Sequence, residues 1–315
     1  MRPRRLRPGD TVAIVAPATA TFFPVDLDIA RESLEAMGLK VLVGEHIFAR
    51  HGNLAGRDDE RAADLNGFFR DPTVSGIVAL RGGWGSARLL PLLDYDAIAA
   101  NPKVLLGYSD ITALLLAIHA RTGLVTFHGP VASSRWNRFA YGLMRRLIFD
   151  GEALTFENVR QVEPGELAQR QHRIRTLTPG TARGRLLGGN LTVLTALLGS
   201  PYLPDFSGAI LFLEDTNEAP YRIDRMMTQL KLAGVLDKVR GLVFGECTEC
   251  QPGEGTYGQL TLEEILLDHV KPLGIPAWHG AMIGHIPRQF TLPVGSEVVI
   301  DAGAGTIRML APAVT

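Results

Sequence analysis

The chain is poor in cysteine, in long apolar runs and in net charge, and each shortage removes a class of protein. Only two of its 315 residues are cysteine, too few for a structural zinc site built on four cysteine ligands. Cys247 and Cys250 form C-T-E-C, a spacing shared by half a zinc site and a redox pair. No second C-x-x-C exists, and the motif follows apolar residues 241–245 instead of opening a helix, so neither role is expected. No stretch reaches about 18 uninterrupted apolar residues, and the basic start M-R-P-R-R-L-R-P-G-D lacks a signal-peptide core. A cytoplasmic protein with no membrane partner is expected. With 32 basic and 33 acidic residues the formal charge is -1, so no overall field attracts nucleic acid. His279 and His285 have no H-E-x-x-H companions, the P-loop pattern is missing, and the turn A-P-A-T-A lacks the dinucleotide fingerprint. No metal or cofactor is expected. Internal repeats and low-complexity segments are likewise missing.

What remains is a chain with 46% hydrophobic residues and 34 glycines, long enough for two domains. Residues 1–150 alternate: strands at 11–16, 40–43, 74–80, 103–106 and 124–127, helices at 26–37, 58–70, 86–93 and 110–121. That rhythm predicts a parallel-sheet α/β domain, whose sites form beyond the carboxyl ends of its strands. Periodicity weakens over 151–182, which reads as a linker. Residues 183–315 then read as a β-rich α+β domain, with helices at 190–198 and 220–232. Its strands are expected at 209–213, 242–245 and 281–283, followed by a closing hairpin, 297–301 and 306–310.

Residues 104–113, V-L-L-G-Y-S-D-I-T-A, are the most informative stretch. An apolar strand stops at Gly107, and Ser109 falls at the turn into an apolar helix. Such a nucleophile elbow lifts one side chain above the sheet, beside the unpaired N–H groups of a helix N-terminus. The G-x-S-x-G pattern is matched only in part, because Ile111 replaces the second glycine, and a serine here also reads as a simple helix cap. The loop R-G-G-W-G, residues 81–85, ends a neighbouring strand. It is either a tight turn or the place where Gly82 or Gly83 offers an N–H to an oxyanion, with Asp110 N–H as the second donor. In the second half Glu214 and His285 each close an apolar strand pattern. With Ser109 they supply nucleophile, base and orienting acid, though Asp215 and Glu218 serve the acid role equally well by sequence.

In order along the chain, H-G-N-L-A-G-R (51–57), D-E-R-A-A-D-L-N (59–66), R-G-G-W-G-S-A-R-L-L (81–90), G-Y-S-D-I-T (107–112), G-G-N-L (188–191), L-F-L-E-D (211–215) and G-H-I (284–286) resemble one family. It comprises serine peptidases that include murein tetrapeptide LD-carboxypeptidases and microcin C self-immunity hydrolases. The resemblance implies two domains sharing a triad, with Ser109 as nucleophile, His285 as general base and Glu214 as its orienter. Asp110 and Gly83 would furnish the oxyanion N–H groups. Trp84 departs from the tyrosine expected in the glycine loop while keeping an aromatic. The family also implies a homodimer.

The resulting expectation is a serine LD-carboxypeptidase of peptidoglycan recycling, releasing terminal D-alanine from a small muropeptide. Arg81 is a candidate for the substrate carboxylate, or else a structural partner of Asp94 or Asp96. One alternative is a microcin C-type hydrolase of an aminoacyl or peptidyl nucleotide amide. An adenine-stacking aromatic would favour it, and besides Trp84 only Trp136 and Trp278 are available. A second is a non-catalytic protein closing two domains around a peptide or sugar.

Overall fold

In the first half, hydrophobic runs bounded by glycines and helix caps become strands, and the amphipathic runs between them become helices. In the computed structural model, which describes residues 1–162, 165–251 and 260–315, the order is β1 (Thr11–Val15), α1 (Pro24–Ala36), β2 (Lys40–Val43), α2 (Asp58–Arg70), β3 (Val74–Ala79), α3 (Tyr95–Ala100), β4 (Val104–Gly107), α4 (Thr112–Thr122), β5 (Thr126–His128) and α5 (Arg138–Met144). β1 to β5 pair in parallel in the spatial order β5-β4-β3-β1-β2. β4 is buried along its whole length, as an inner parallel strand covered on both faces should be. α4 is also apolar nearly all round and lies inside the molecule. Gly123, at φ 72, ends it in a left-handed cap.

The second half adds β6 (Thr155–Glu157), β7 (Arg175–Thr178), β8 (Thr181–Asn190), α6 (Leu191–Ala196), β9 (Ile210–Thr216), α7 (Pro220–Leu232), β10 (Gly241–Thr248), α8 (Leu262–Val270), β11 (Ala277–His279), β12 (Leu292–Val294), β13 (Glu297–Asp301) and β14 (Thr306–Met309). Eight of these strands form a mixed sheet in the order β6-β14-β13-β8-β9-β10-β11-β7. Its centre, β8-β9-β10-β11, is parallel, and β9 carries Glu214 through the middle. The architecture is thus an N-terminal parallel α/β unit joined to a β-rich α+β unit.

Four features depart from the sequence reading. The segment 151–182, expected to be a linker, contains β6, β7 and the start of β8. β6 and β7 are the two edge strands of the sheet, each burying one side chain, Phe156 and Leu177, so their apolar signal is faint. Glu163 and Pro164 of that segment lie outside the described residues. The strand expected at 281–283 is a loop: β11 ends at His279, and Gly280 turns away at φ 86 where a Cβ would meet the Arg173 carbonyl at 2.2 Å. β12, from the C-terminal part of the sequence, pairs antiparallel with β5 at the edge of the first sheet. The two cysteines, expected to be neither zinc ligands nor a redox pair, are bonded to each other across a Cα separation of 5.4 Å. No helix among the described residues is long and apolar enough to cross a membrane.

Candidate active site

The elbow begins where β4 reaches Gly107. A Cβ there would come within 2.8 Å of the Ile111 side chain, so glycine lets the chain double back tightly onto the following helix. Tyr108 stays extended, and Ser109 then takes φ 62, a left-handed conformation that side chains other than glycine seldom adopt. A short 3-10 turn, Ser109–Ile111, leads into α4. Asp110 fastens this turn: its Oδ2 accepts from Ser86 N–H at 2.8 Å and its carbonyl from the Ser86 hydroxyl at 2.5 Å. Burial raises the Asp110 carboxyl above the usual range, opposed by those donors and by the Arg61 charge.

The glycine loop after β3 lies against the elbow. A methyl on Gly82 would come within 3.1 Å of Ser109 Oγ and 3.5 Å of Asp110 N. Gly83, at φ 115, faces the other way, where a Cβ would sit 2.0 Å from Thr19 Oγ1; that hydroxyl also accepts from Trp84 N–H at 3.2 Å.

Glu214 is fully buried on β9, and its Oε2 lies 2.9 Å from His285 Nδ1. The loop holding His285 comes this close because residue 284 is glycine: at φ 107, a Cβ on Gly284 would meet Glu214 Oε2 at 2.6 Å. The Thr248 hydroxyl donates to the His285 carbonyl at 3.2 Å, and the Tyr108 ring packs on the imidazole with centroids 4.9 Å apart. Neighbouring acids are engaged elsewhere. Asp215 accepts from Asn190 Nδ2, Thr192 N–H and hydroxyl, and Thr216 N–H, and Glu218 accepts from the Thr192 hydroxyl. Burial, aided by the Glu214 charge, pushes Asp215 up to about 6, against the pull of its four donors.

Ser109, His285, Gly82, Gly83 and Arg81 line one cavity of about 420 Å³, together with Tyr108 and Asp26. Among the described residues there is no hydrogen bond between Ser109 Oγ and His285, so the hydroxyl and the imidazole line one chamber without being hydrogen-bonded to each other. Arg81 donates to the Ala20 carbonyl at 3.3 Å, while Asp94 pairs with Arg70. Trp84 is not among the lining residues; its side chain is 51% exposed. Sequence reasoning passed over Tyr108, Thr248, Gly284 and Asp26. The glycine beside His285 was the one local signal among them. Among the described residues no group of three His, Cys, Asp or Glu side chains is placed to hold a metal ion.

This arrangement places a hydroxyl on a strained turn, an imidazole backed by a buried carboxylate, and a glycine loop against the hydroxyl. The chain is also similar to known proteins over most of its length. Residues 12–129 match the LD-carboxypeptidase N-terminal domain and residues 183–300 its C-terminal domain. A probable murein peptide carboxypeptidase of Bacillus subtilis is 39% identical over 307 residues, 97% of this chain and 93% of that protein. The solved muramoyltetrapeptide carboxypeptidase from Oxalobacter formigenes superposes with a TM-score of 0.80 at 30% identity, covering 95% of this chain and 97% of the other. The microcin C7 self-immunity protein MccF in complex with aspartyl sulfamoyl adenosine gives 0.88 at 29% identity over 100% of both chains.

Proposed function

Since this chain belongs to the LD-carboxypeptidase family, and is thereby a serine carboxypeptidase, we propose that it releases the terminal D-alanine of murein tetrapeptides through Ser109, His285 and Glu214. The observation that carries this reading is the 2.9 Å contact of buried Glu214 with Nδ1 of His285, whose ring lines the same cavity as Ser109.

In the reaction Ser109 Oγ adds to the scissile carbonyl while His285 Nε2 takes its proton. The Asp110 and Gly83 N–H groups hold the oxyanion that forms, each worth about 3 to 4 kcal/mol in the transition state. As the C–N bond breaks, His285 returns the proton to the amine of the departing D-alanine. Water, deprotonated by the same imidazole, then hydrolyses the acyl-serine ester. Glu214 keeps Nδ1 protonated and Nε2 aimed at the chemistry, and it stabilises the imidazolium between the two transfers. Arg81 lines the cavity without an acidic partner among the described residues, which suits it to the terminal carboxylate. Trp84, exposed and next in sequence to the lining Gly83, would cover the bound substrate. We place this reaction in cytoplasmic peptidoglycan recycling by a homodimer, where reducing conditions would open the Cys247–Cys250 bond.

A second reading, hydrolysis of an aminoacyl nucleotide amide, draws support from the superposition on MccF. Trp278 is fully buried and Trp136 donates its Nε1–H to the Ala132 carbonyl, leaving Trp84 as the tryptophan open enough to stack on a base. Incubating wild type and Ser109→Ala, without added metal, with a tetrapeptide ending in D-alanine and with an aminoacyl sulfamoyl adenosine separates the readings. Alanine release by wild type alone supports the carboxypeptidase. Cleavage of the nucleoside compound alone overturns it in favour of the second.

A further inference from the structure

The cavity around Ser109 is lined by one carboxylate, Asp26, and one guanidinium, Arg81, and neither has an ion-pair partner among the described residues. Resting on the carboxypeptidase reading, we propose that Asp26 is a specificity-determining residue that receives a free side-chain ammonium on the acyl side of the substrate, opposite in charge to the terminal carboxylate taken by Arg81.

Local structure holds Asp26 ready for a ligand. It lies in the first turn of α1, with its N–H donating to the Phe23 carbonyl at 3.0 Å and its Oδ2 accepting from the buried Thr21 hydroxyl at 3.1 Å. That hydroxyl also reaches the Phe23 carbonyl at 3.4 Å, so Thr21 ties the carboxylate to the backbone that starts the helix. Fixing the group in advance leaves little rotamer freedom to lose on binding. Thr21 supplies one neutral donor and no positive charge. Of the other polar liners, the Ser133 hydroxyl donates to the Leu80 carbonyl at 2.7 Å and His285 is held by Glu214 at 2.9 Å, while Arg81 donates to the neutral Ala20 carbonyl and makes no ion pair with Asp26.

A ligand bearing only a carboxylate would satisfy Arg81 and leave Asp26 uncompensated in a partly desolvated cavity. One that also carries an ammonium neutralises both groups, and because Asp26 and Arg81 make no ion pair with each other, a ligand bearing both charges is also oriented by them. The chemistry that fits is a peptide whose acyl-side residue is a diamino acid with its side-chain amine free. Acylation or cross-linking of that amine removes the charge and adds bulk where Asp26 stands. Asp26 would therefore let the enzyme tell an uncross-linked peptide from one already joined through its amine.

The test compares a tetrapeptide ending in D-alanine with the same peptide acetylated on its side-chain amine, using wild type, Asp26→Asn and Asp26→Glu, each checked for folding by thermal melting. Wild type is expected to favour the free amine by about tenfold in kcat/KM, mostly through KM. Asp26→Asn should bring that ratio close to one, and Asp26→Glu should restore part of it. A ratio that Asp26→Asn leaves unchanged, whatever happens to the absolute rates, overturns the assignment and returns Asp26 to the role of a first-turn acid on a helix. Wild type that cleaves neither peptide, but does cleave an aminoacyl sulfamoyl adenosine, overturns the carboxypeptidase reading and this inference with it.

Discussion

His285 Nδ1 lies 2.9 Å from Glu214 Oε2, while Glu214 Oε1, equally buried, has no partner among the described residues. The carboxylate is thus committed to the imidazole alone. Glu214→Gln keeps the shape but offers an amide that can present an N–H to Nδ1, favouring the tautomer with Nε2 protonated and unable to act as base. A fall of about 10³- to 10⁴-fold in kcat with little change in thermal midpoint is expected. Equal losses in kcat and in stability would show instead that Glu214 mainly supports the fold.

Ser109 pays for its position with a left-handed backbone at φ 62. Glycine adopts that conformation without steric penalty, so Ser109→Gly should abolish hydrolysis and raise stability by about 1 kcal/mol, measured by urea unfolding. Ser109→Ala removes the same hydroxyl but retains the Cβ, and should be inactive without the gain. If both variants unfold at the same midpoint, the turn stores no strain.

Gly82 and Gly83 should fail in different ways. A Cβ on Gly82 would sit 3.0 Å from Ser109 Cβ and 3.1 Å from Oγ, tight contacts made with the Ser109 side chain. Gly82→Ala should fold and lose about 10²-fold or more in kcat as the hydroxyl is displaced from its attack position. At Gly83 the added methyl meets Thr19 Oγ1 at 2.0 Å on a backbone of φ 115, so Gly83→Ala should lower stability by about 2 to 3 kcal/mol as well. Activity and melting curves measured on both variants distinguish the two effects.

Apart from the edge strand β2, the strands of the N-terminal α/β unit are legible because they are buried inner ones, written as unbroken apolar runs with glycine or capping residues between them. The edge strands β6 and β7 are not, because each buries a single residue among polar neighbours, mostly threonine. Residues 281–283 misled for the opposite reason. They are buried and apolar, yet they lie in a loop shaped by Gly280 and Gly284, and burial alone does not make a strand. Ser109 announced itself through a local turn. Glu214 and His285, 71 residues apart in sequence, meet only through the pairing of β9, β10 and β11, which no local pattern encodes. Asp26 gave no sign at all, since an acid in a first helical turn is ordinary chemistry.

His128 provides a measurement independent of activity. It is fully buried between Tyr108 and Phe212, and neither ring nitrogen has a partner among the described residues. Burial, helped by the His285 charge and opposed by that of Glu214, lowers its pKa to about 4 from 6.5. Between those values the unfolded chain binds a proton that the folded chain refuses, so stability falls as pH drops from 6.5 to about 4 and the loss is complete below. The gap corresponds to about 3 kcal/mol. Asp215, pushed up to about 6, works in the opposite sense, because the folded chain takes up its proton first and gains stability as pH falls through 6. The two slopes oppose each other in the wild type, and a difference experiment separates them. His128→Phe keeps an aromatic ring between Tyr108 and Phe212 and forfeits no hydrogen bond. Its stability relative to wild type should therefore improve by about 3 kcal/mol between pH 7 and pH 4, read from urea midpoints at each pH. A constant difference across that range would mean that His128 is protonated in the fold and has found an acceptor.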